Sequence, residues 1–317
     1  MIVALAGGVG GARLAHGLAR ALPPAGLSVI VNTGDDFDHY GLRVCPDLDT
    51  VMYTLADLAN EATGWGIAGD TDAALGMLRR YGEDAWFWLG DRDMATCLVR
   101  VERLRAGQTL SEVTSALASA LGVSAALLPM SDAPIATIVN TPAGPLAFQE
   151  YFVRRRHQDT VLGVRLEGIE SATATPAALA ALSQAEAIIL CPSNPLLSIG
   201  PILGVGGMRA AIMAAKAAGA PVVAVSPIIG GQAVKGPAAG NLEAQGFPVS
   251  PLGIARWYGD LLDGLALDHA DAALAPEIEA LGVRPLVTDI LMRDAADRER
   301  LAREVLAFAA TLRAARP

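Results

Sequence analysis

The residues with the clearest chemical capacity lie in short loops, and the first is Ala6-Gly-Gly-Val-Gly-Gly-Ala-Arg13. Glycines let a backbone approach a phosphate closely, and a helix start adds unpaired N–H groups and a positive dipole end. Gly8, Gly10, Gly11 and Arg13 are therefore candidates for holding nucleotide phosphates, with a tight structural turn as the alternative. The lysine and hydroxyl of a Walker A loop are missing, and Arg13 stands where a dinucleotide fingerprint has its third glycine. Two further loops, Asn32-Thr-Gly-Asp-Asp-Phe-Asp38 and Cys45-Pro-Asp-Leu-Asp-Thr50, carry more carboxylates than one ribose requires. Clustered carboxylates repel each other unless a cation relieves them, and hard oxygen ligands suit Mg²⁺. Asp36, Asp47 and Asp49 are the candidate metal ligands, while Asp49 could instead cap a helix beginning near Thr50.

Further along, Leu89-Gly-Asp-Arg-Asp93 follows Trp86, Phe87 and Trp88. Asp91 beside Arg92 is either a purely structural pair or a means of recognising a polar ligand, and Trp88 is the aromatic nearest the loop and so best able to meet a planar ring. Asp93 reads as a helix cap. Cys191-Pro-Ser-Asn-Pro195 and Ser198-Ile-Gly-Pro201 offer Ser193, Asn194, Ser198 and Gly200 to a base, ribose or phosphate on proline-fixed turns. Lys235, one of only two lysines, stands in a glycine-rich loop and could face an anion. Arg154, Arg155 and Arg156 follow what reads as an aromatic strand near 148, either as a solvated basic edge or as a receiver of a substrate's acidic end. No nucleophile stands at a motif spacing from a base, and the four histidines fall in no motif. That pattern favours chemistry done by positioning and metal electrostatics, as in phosphoryl transfer.

The elements that must position these loops follow a βαβ rhythm. Residues 2–6 and 28–32 read as buried strands, with a helix over 12–22 between them whose Leu14, Leu18 and Leu22 share a face. The pattern strand, polar loop, helix recurs at 86–90, 186–191 and 221–226, and open α/β sheets bind ligands at such strand ends. The stretch from about 49 to 105 reads as mainly helical, and 125–170 as a small β-rich insertion. A long amphipathic helix closes the chain over about 294–315. The expectation is an α/β fold: one doubly wound, Rossmann-like domain over 1–317 with a mostly parallel sheet.

Composition bounds the partners. A net charge of −9 argues against general nucleic-acid binding. No apolar run approaches the roughly 18 residues of a membrane span, and the apolar N-terminus reads as a strand and not as a signal peptide. Cys45, Cys97 and Cys191 lack zinc spacing and fit a reducing cytoplasm.

Taken in order, these loops resemble the 2-phospho-L-lactate transferases of coenzyme F420 biosynthesis. The matching runs are GGVGGARL (7–14), VNTGDD (31–36), CPDLDTVMYTL (45–55), LGDRD (89–93), MSDAP (130–134), FQEYFVRRR (148–156), CPSNPLLSIGPIL (191–203), SPIIGG (226–231) and KGPAA (235–239). The resemblance implies transfer of a phospho-acyl group from a guanosine diphospho donor to a hydroxyl of the deazaflavin Fo, with GMP released. It also implies dependence on Mg²⁺ and a homodimer. It maps an acceptor-binding acid to Asp49 and a second acceptor contact to Trp88, and it expects the guanosine donor on the glycine, SNP and SIGP loops. On this reading Asp49, with Asp36 or Asp47, holds the metal and orients the hydroxyl, while Arg13 or Lys235 offsets phosphate charge. Two other classes compete: a non-catalytic nucleotide-sugar-binding regulator, and an NAD-dependent oxidoreductase suggested only by the first βαβ unit. Lactyl, enolpyruvyl and glyceryl donors are all used within the family, and no residue here selects among them.

Overall fold

The computed structural model describes residues 1–315. Seven strands form one parallel sheet: β1 (Ile2–Ala6), β2 (Leu27–Val31), β3 (Ala126–Pro129), β4 (Ala187–Leu190), β5 (Val222–Val225), β6 (Gly264–Leu267) and β7 (Arg284–Val287). Their order across the sheet is β7-β6-β5-β4-β1-β2-β3. The winding reverses between β1 and β4, and the crevice outside such a reversal is where doubly wound folds take their ligands. Alternate residues of the central strands feed the two faces. Val3, Leu5, Ile188, Leu190, Val222 and Ala224 enter one core, and Ala4, Ala6, Ile189, Val223 and Val225 enter the other. Burial on both faces explains why these strands read as continuous apolar runs.

Helix α1 (Gly8–Ala21) starts directly after β1, and α2 (Pro46–Leu55) packs beside it. The closing helix Ala295–Ala314 crosses α1 so closely that a Cβ on Gly17 would stand 2.1 Å from the Arg298 carbonyl oxygen. Helices α3 (Ala73–Arg80) and α4 (Asp91–Arg105) complete the region after α2. The expectation of a mainly helical stretch from 49 to 105 holds only in part, because a long loop over 56–72 separates α2 from α3.

Residues 86–90 are not a strand. The backbone leading into them closes local turns (Ala85 N–H to Glu83 O, Trp86 N–H to Asp84 O), and the rings pack on neighbouring aromatics instead of on a sheet. Within 125–170, residues 126–129 are the outer strand β3, paired parallel with β2, and the antiparallel part runs from 136 to 167. It comprises Gly144–Ala147, Ala136–Thr141 and Gly163–Glu167 in that spatial order. A single π-helical turn, Glu150–Arg154, follows its second strand, so the aromatic stretch near 148 is not a strand either. Among the described residues no helix is long and apolar enough to cross a membrane.

Candidate active site

The loops after β1, β4 and β5 enclose a cavity of about 410 Å³ at the winding reversal. Its floor is the glycine loop, tied down from two sides. Gly7 N–H donates to Ser193 Oγ at 3.0 Å, and that hydroxyl donates back to Gly7 O at 2.9 Å. Gly8 N–H donates to Asp47 Oδ1 at 2.7 Å. A Cβ on Gly10 would lie 2.3 Å from Pro192 O, and one on Gly11 would lie 2.5 Å from Ser193 Oγ. These two glycines are thus required by contact between the β1 and β4 loops themselves.

Cationic groups line the same cavity. Arg13 donates to Met292 O at 3.3 Å, Lys235 Nζ donates to Thr63 O at 2.8 Å, and Arg293 is held by Asp289 and Asp297. Burial, with the charge of Arg13, lowers the pKa of Lys235. Asn194 Oδ1 caps the turn Pro195–Ile199 through the amides of Leu196 and Leu197, which leaves its buried Nδ2 without a partner. Ser198 is on the wall. Gly200 lies behind it, next to Trp257, and neither Gly200 nor Gly11 lines the cavity.

A second cavity of about 290 Å³ adjoins the first. Trp65, Trp86, Phe87 and Trp88 reach it from the core domain, and Phe148 and Phe152 from the β-rich insertion. Trp65 and Trp88 meet edge to face with centroids 5.3 Å apart. Arg154 holds the insertion in place by pairing with Asp84 and lying 5.9 Å over the Trp86 ring. It and Arg155, which pairs with Asp159, are committed to surface ion pairs and do not enter either cavity. Asp35, Asp47, Trp65, Phe148 and Phe152 line both cavities and so form a shared wall.

The acids divide into groups with different tasks. Asp47 bonds Gly8 N–H and Asn32 Nδ2, and burial raises its pKa to about 6. Asp35 is raised well above the usual carboxylate range by burial and then by the charge of Asp47, and its Oδ1 is buried without a partner. Asp36 faces elsewhere. It lines neither cavity, and burial raises its pKa to about 8, opposed by a hydrogen bond with Cys45.

Asp49 lies inside the first turn of α2, which begins at Pro46, so it is not the cap expected near Thr50. Each of its oxygens accepts one hydrogen bond from the Arg100 guanidinium. Asp93 is likewise inside a helix and not its cap. It lines the aromatic cavity, accepts from Tyr53 OH at 2.7 Å, and is raised to about 7 by burial and then by Asp49.

The structure does not bring Asp36, Asp47 and Asp49 together. Among the described residues, the one trio of acid, thiol or imidazole groups converging within 4.8 Å is Asp49, Asp93 and Cys97, and Arg100 already bonds the first and last of these. Asp91 and Arg92 also lie outside both cavities. Asp91 accepts from Ala73 and Ala74 N–H at the start of α3, while Asp70 accepts from Arg92 and Asp93 N–H at the start of α4. That reciprocal capping accounts for the LGDRD run without a ligand. Arg92 Nη1 donates to Ala68 O. Sequence reasoning passed over Asp35, Trp65 and Arg100. Asp35 was visible within the acidic loop, whereas Arg100 left no local signal.

A sequence model of one family, described as 2-phospho-L-lactate transferase CofD, matches residues 2–294. The phosphoenolpyruvate transferase of Streptomyces griseus is 44% identical, with 99% of each chain covered. The 2-phospho-L-lactate transferase of Methanospirillum hungatei is 40% identical, covering 96% of this chain and 99% of its own. A crystal structure of a UPF0052 family member from Bacillus halodurans superposes with a TM-score of 0.62 at 15% identity, over 96% of this chain and 98% of that one, and so shares the fold. By the family match and by these relatives, the chain belongs to the 2-phospho-L-lactate transferase family.

Proposed function

We propose that this transferase moves a phospho-acyl group from a guanosine diphospho donor to the deazaflavin Fo, with GMP as the other product. The observation that carries the reading is the pair of adjoining cavities with two acids in their shared wall. One has a glycine floor at a helix start and cations around it, which suits a nucleoside diphosphate. The other is walled by aromatic rings, which suits a planar tricycle. A donor phosphate and an acceptor hydroxyl meet only where the cavities join.

Mg²⁺ fits at Asp35 and Asp47 better than at the trio expected from sequence. Two buried carboxylates whose charges oppose each other, one with an oxygen lacking any partner, are a donor set completed by a hard cation. When bound, Mg²⁺ supplies neutralisation of diphosphate charge and acidification of the attacking hydroxyl. The chain's own groups do the rest. First-turn amides of α1 hold donor phosphate, Arg13 and Lys235 offset the charge left on GMP, Asp49 receives a hydrogen bond from the acceptor, and Trp65 and Trp88 flank the ring. A cytoplasmic homodimer is the working unit we expect.

Incubation with Fo, Mg²⁺ and each of the lactyl, enolpyruvyl and glyceryl donors tests the reading. The expected result is a more anionic deazaflavin and stoichiometric GMP, abolished by chelation of the metal and reduced at least about a hundredfold by Asp47→Asn. Tight donor binding with no product from any donor would instead make the chain a nucleotide-sugar-binding regulator.

A further inference from the structure

Arg100 has no part in the reading above, yet it is among the largest fully buried side chains of the protein. It projects from α4 toward α2. Its Nη2 donates to Asp49 Oδ1, and its Nη1 donates to Asp49 Oδ2 at 3.1 Å and to Arg43 O at 3.1 Å. The side chains of Arg100 and Asp49 are only 2% and 7% exposed. Removing both charges from water is costly, and an apolar pair would hold two helices together as well. The charge is retained at the one place where the carboxylate also lines the aromatic cavity.

A carboxylate has two lone pairs on each oxygen, and a guanidinium fork engages one from each in a single plane. The fork therefore fixes the orientation of the Asp49 carboxylate and leaves acceptor capacity for a ligand. Asp93, which accepts from Tyr53 OH, is not among the groups the fork engages.

We propose that Arg100 is a positioning residue, which aims Asp49 into the aromatic cavity so that it accepts a hydrogen bond from an N–H or O–H of a planar heteroaromatic ligand. This rests on the reading of that cavity as the Fo site. Lysine cannot substitute, since an ammonium offers no planar fork.

Fo affinity, read from its own fluorescence, and GDP affinity, read by calorimetry, separate the possibilities. Arg100→Lys is expected to weaken Fo at least tenfold and to leave GDP within twofold. Asp49→Asn is expected to weaken Fo similarly, and Arg100→Lys/Asp49→Asn no further than Asp49→Asn alone, because the arginine acts only through the acid. Multiplying effects, unchanged Fo affinity, or a parallel loss of GDP would overturn the proposal, the last marking a merely structural pair. Arg100→Met/Asp49→Asn gives an independent check whether or not Arg100→Lys folds, since it buries no charge. Its Fo affinity should equal that of Asp49→Asn, and a further tenfold loss refutes the role. Trp88→Ala separates the two levels. If it leaves Fo affinity intact, the assignment of the cavity has failed. If it weakens Fo while Arg100→Lys does not, only the positioning role has failed.

Discussion

Replacing Gly10 by alanine should damage nucleotide binding by moving backbone, with no loss of a functional group. The added Cβ would stand 2.3 Å from the Pro192 carbonyl oxygen, well inside the 3.0 Å below which such contacts are not found. The obstacle is main chain, so no side-chain rotation relieves it. Either the first turn of α1 or the loop after β4 must retreat, and both line the larger cavity. Overpacking of this kind costs about 1–3 kcal/mol. If the strain is relieved only when the nucleotide's seat deforms, that range corresponds to a loss of GDP affinity of roughly 5- to 150-fold. Calorimetry with GDP measures it, and Fo affinity should change little because Gly10 does not line the aromatic cavity. Gly76→Ala is the control: in α3 it would meet nothing within 4 Å. If Gly10→Ala bound GDP within twofold of the parent, the argument from close approach would be refuted.

Two other substitutions probe the wall and the acids. Trp65→Ala should weaken both GDP and Fo, by several-fold each, whereas Trp88→Ala should weaken Fo alone, since only Trp65 lines both cavities; equal profiles for the two variants would contradict the shared wall. Asp93 holds its proton in the folded protein up to about pH 7, because of burial and then Asp49, while an unfolded chain releases it near pH 4. Its contribution to stability is complete below about pH 4 and is lost as pH rises through about 7. Asp93→Asn should therefore flatten the pH dependence of the unfolding free energy, read from urea titrations, over that window by up to about 4 kcal/mol. An unchanged slope would show that Asp93 is not the group responsible.

The sheet's switch point was readable because strand, glycines and helix follow one another without a gap, and local sequence is enough to define such a turn. The error at 86–90 has the opposite origin. Three consecutive aromatics suggest a buried strand, but here Trp86 and Phe87 pack on each other and on Phe37, Trp88 packs on Trp65, and all three line the aromatic cavity, which no period reveals. Asp35 lines both cavities and Asp36 lines neither, because which of two adjacent carboxylates faces them depends on neighbours distant in sequence. Asp91 and Arg92 looked like ligand groups since a conspicuous acid–base run gives no hint that its acid caps a different helix. Asp49 stood out within its acidic loop and took an acceptor role through resemblance, whereas its partner Arg100, 51 residues away, emerges only from the fold.

On the proposed reading, the side chains common to both cavities also couple the two binding events. Phe148 and Phe152 come from the insertion, Asp35 from the loop after β2 and Asp47 from the first turn of α2, so a ligand in either cavity meets side chains that also line the other. Binding energies at such a boundary are linked: whatever factor the nucleotide imposes on the affinity for the ring compound, the ring compound must impose on the nucleotide. A direct transfer across this wall runs through a ternary complex, so double-reciprocal kinetic plots should intersect, whereas the parallel lines of an exchange through a modified enzyme should not be seen.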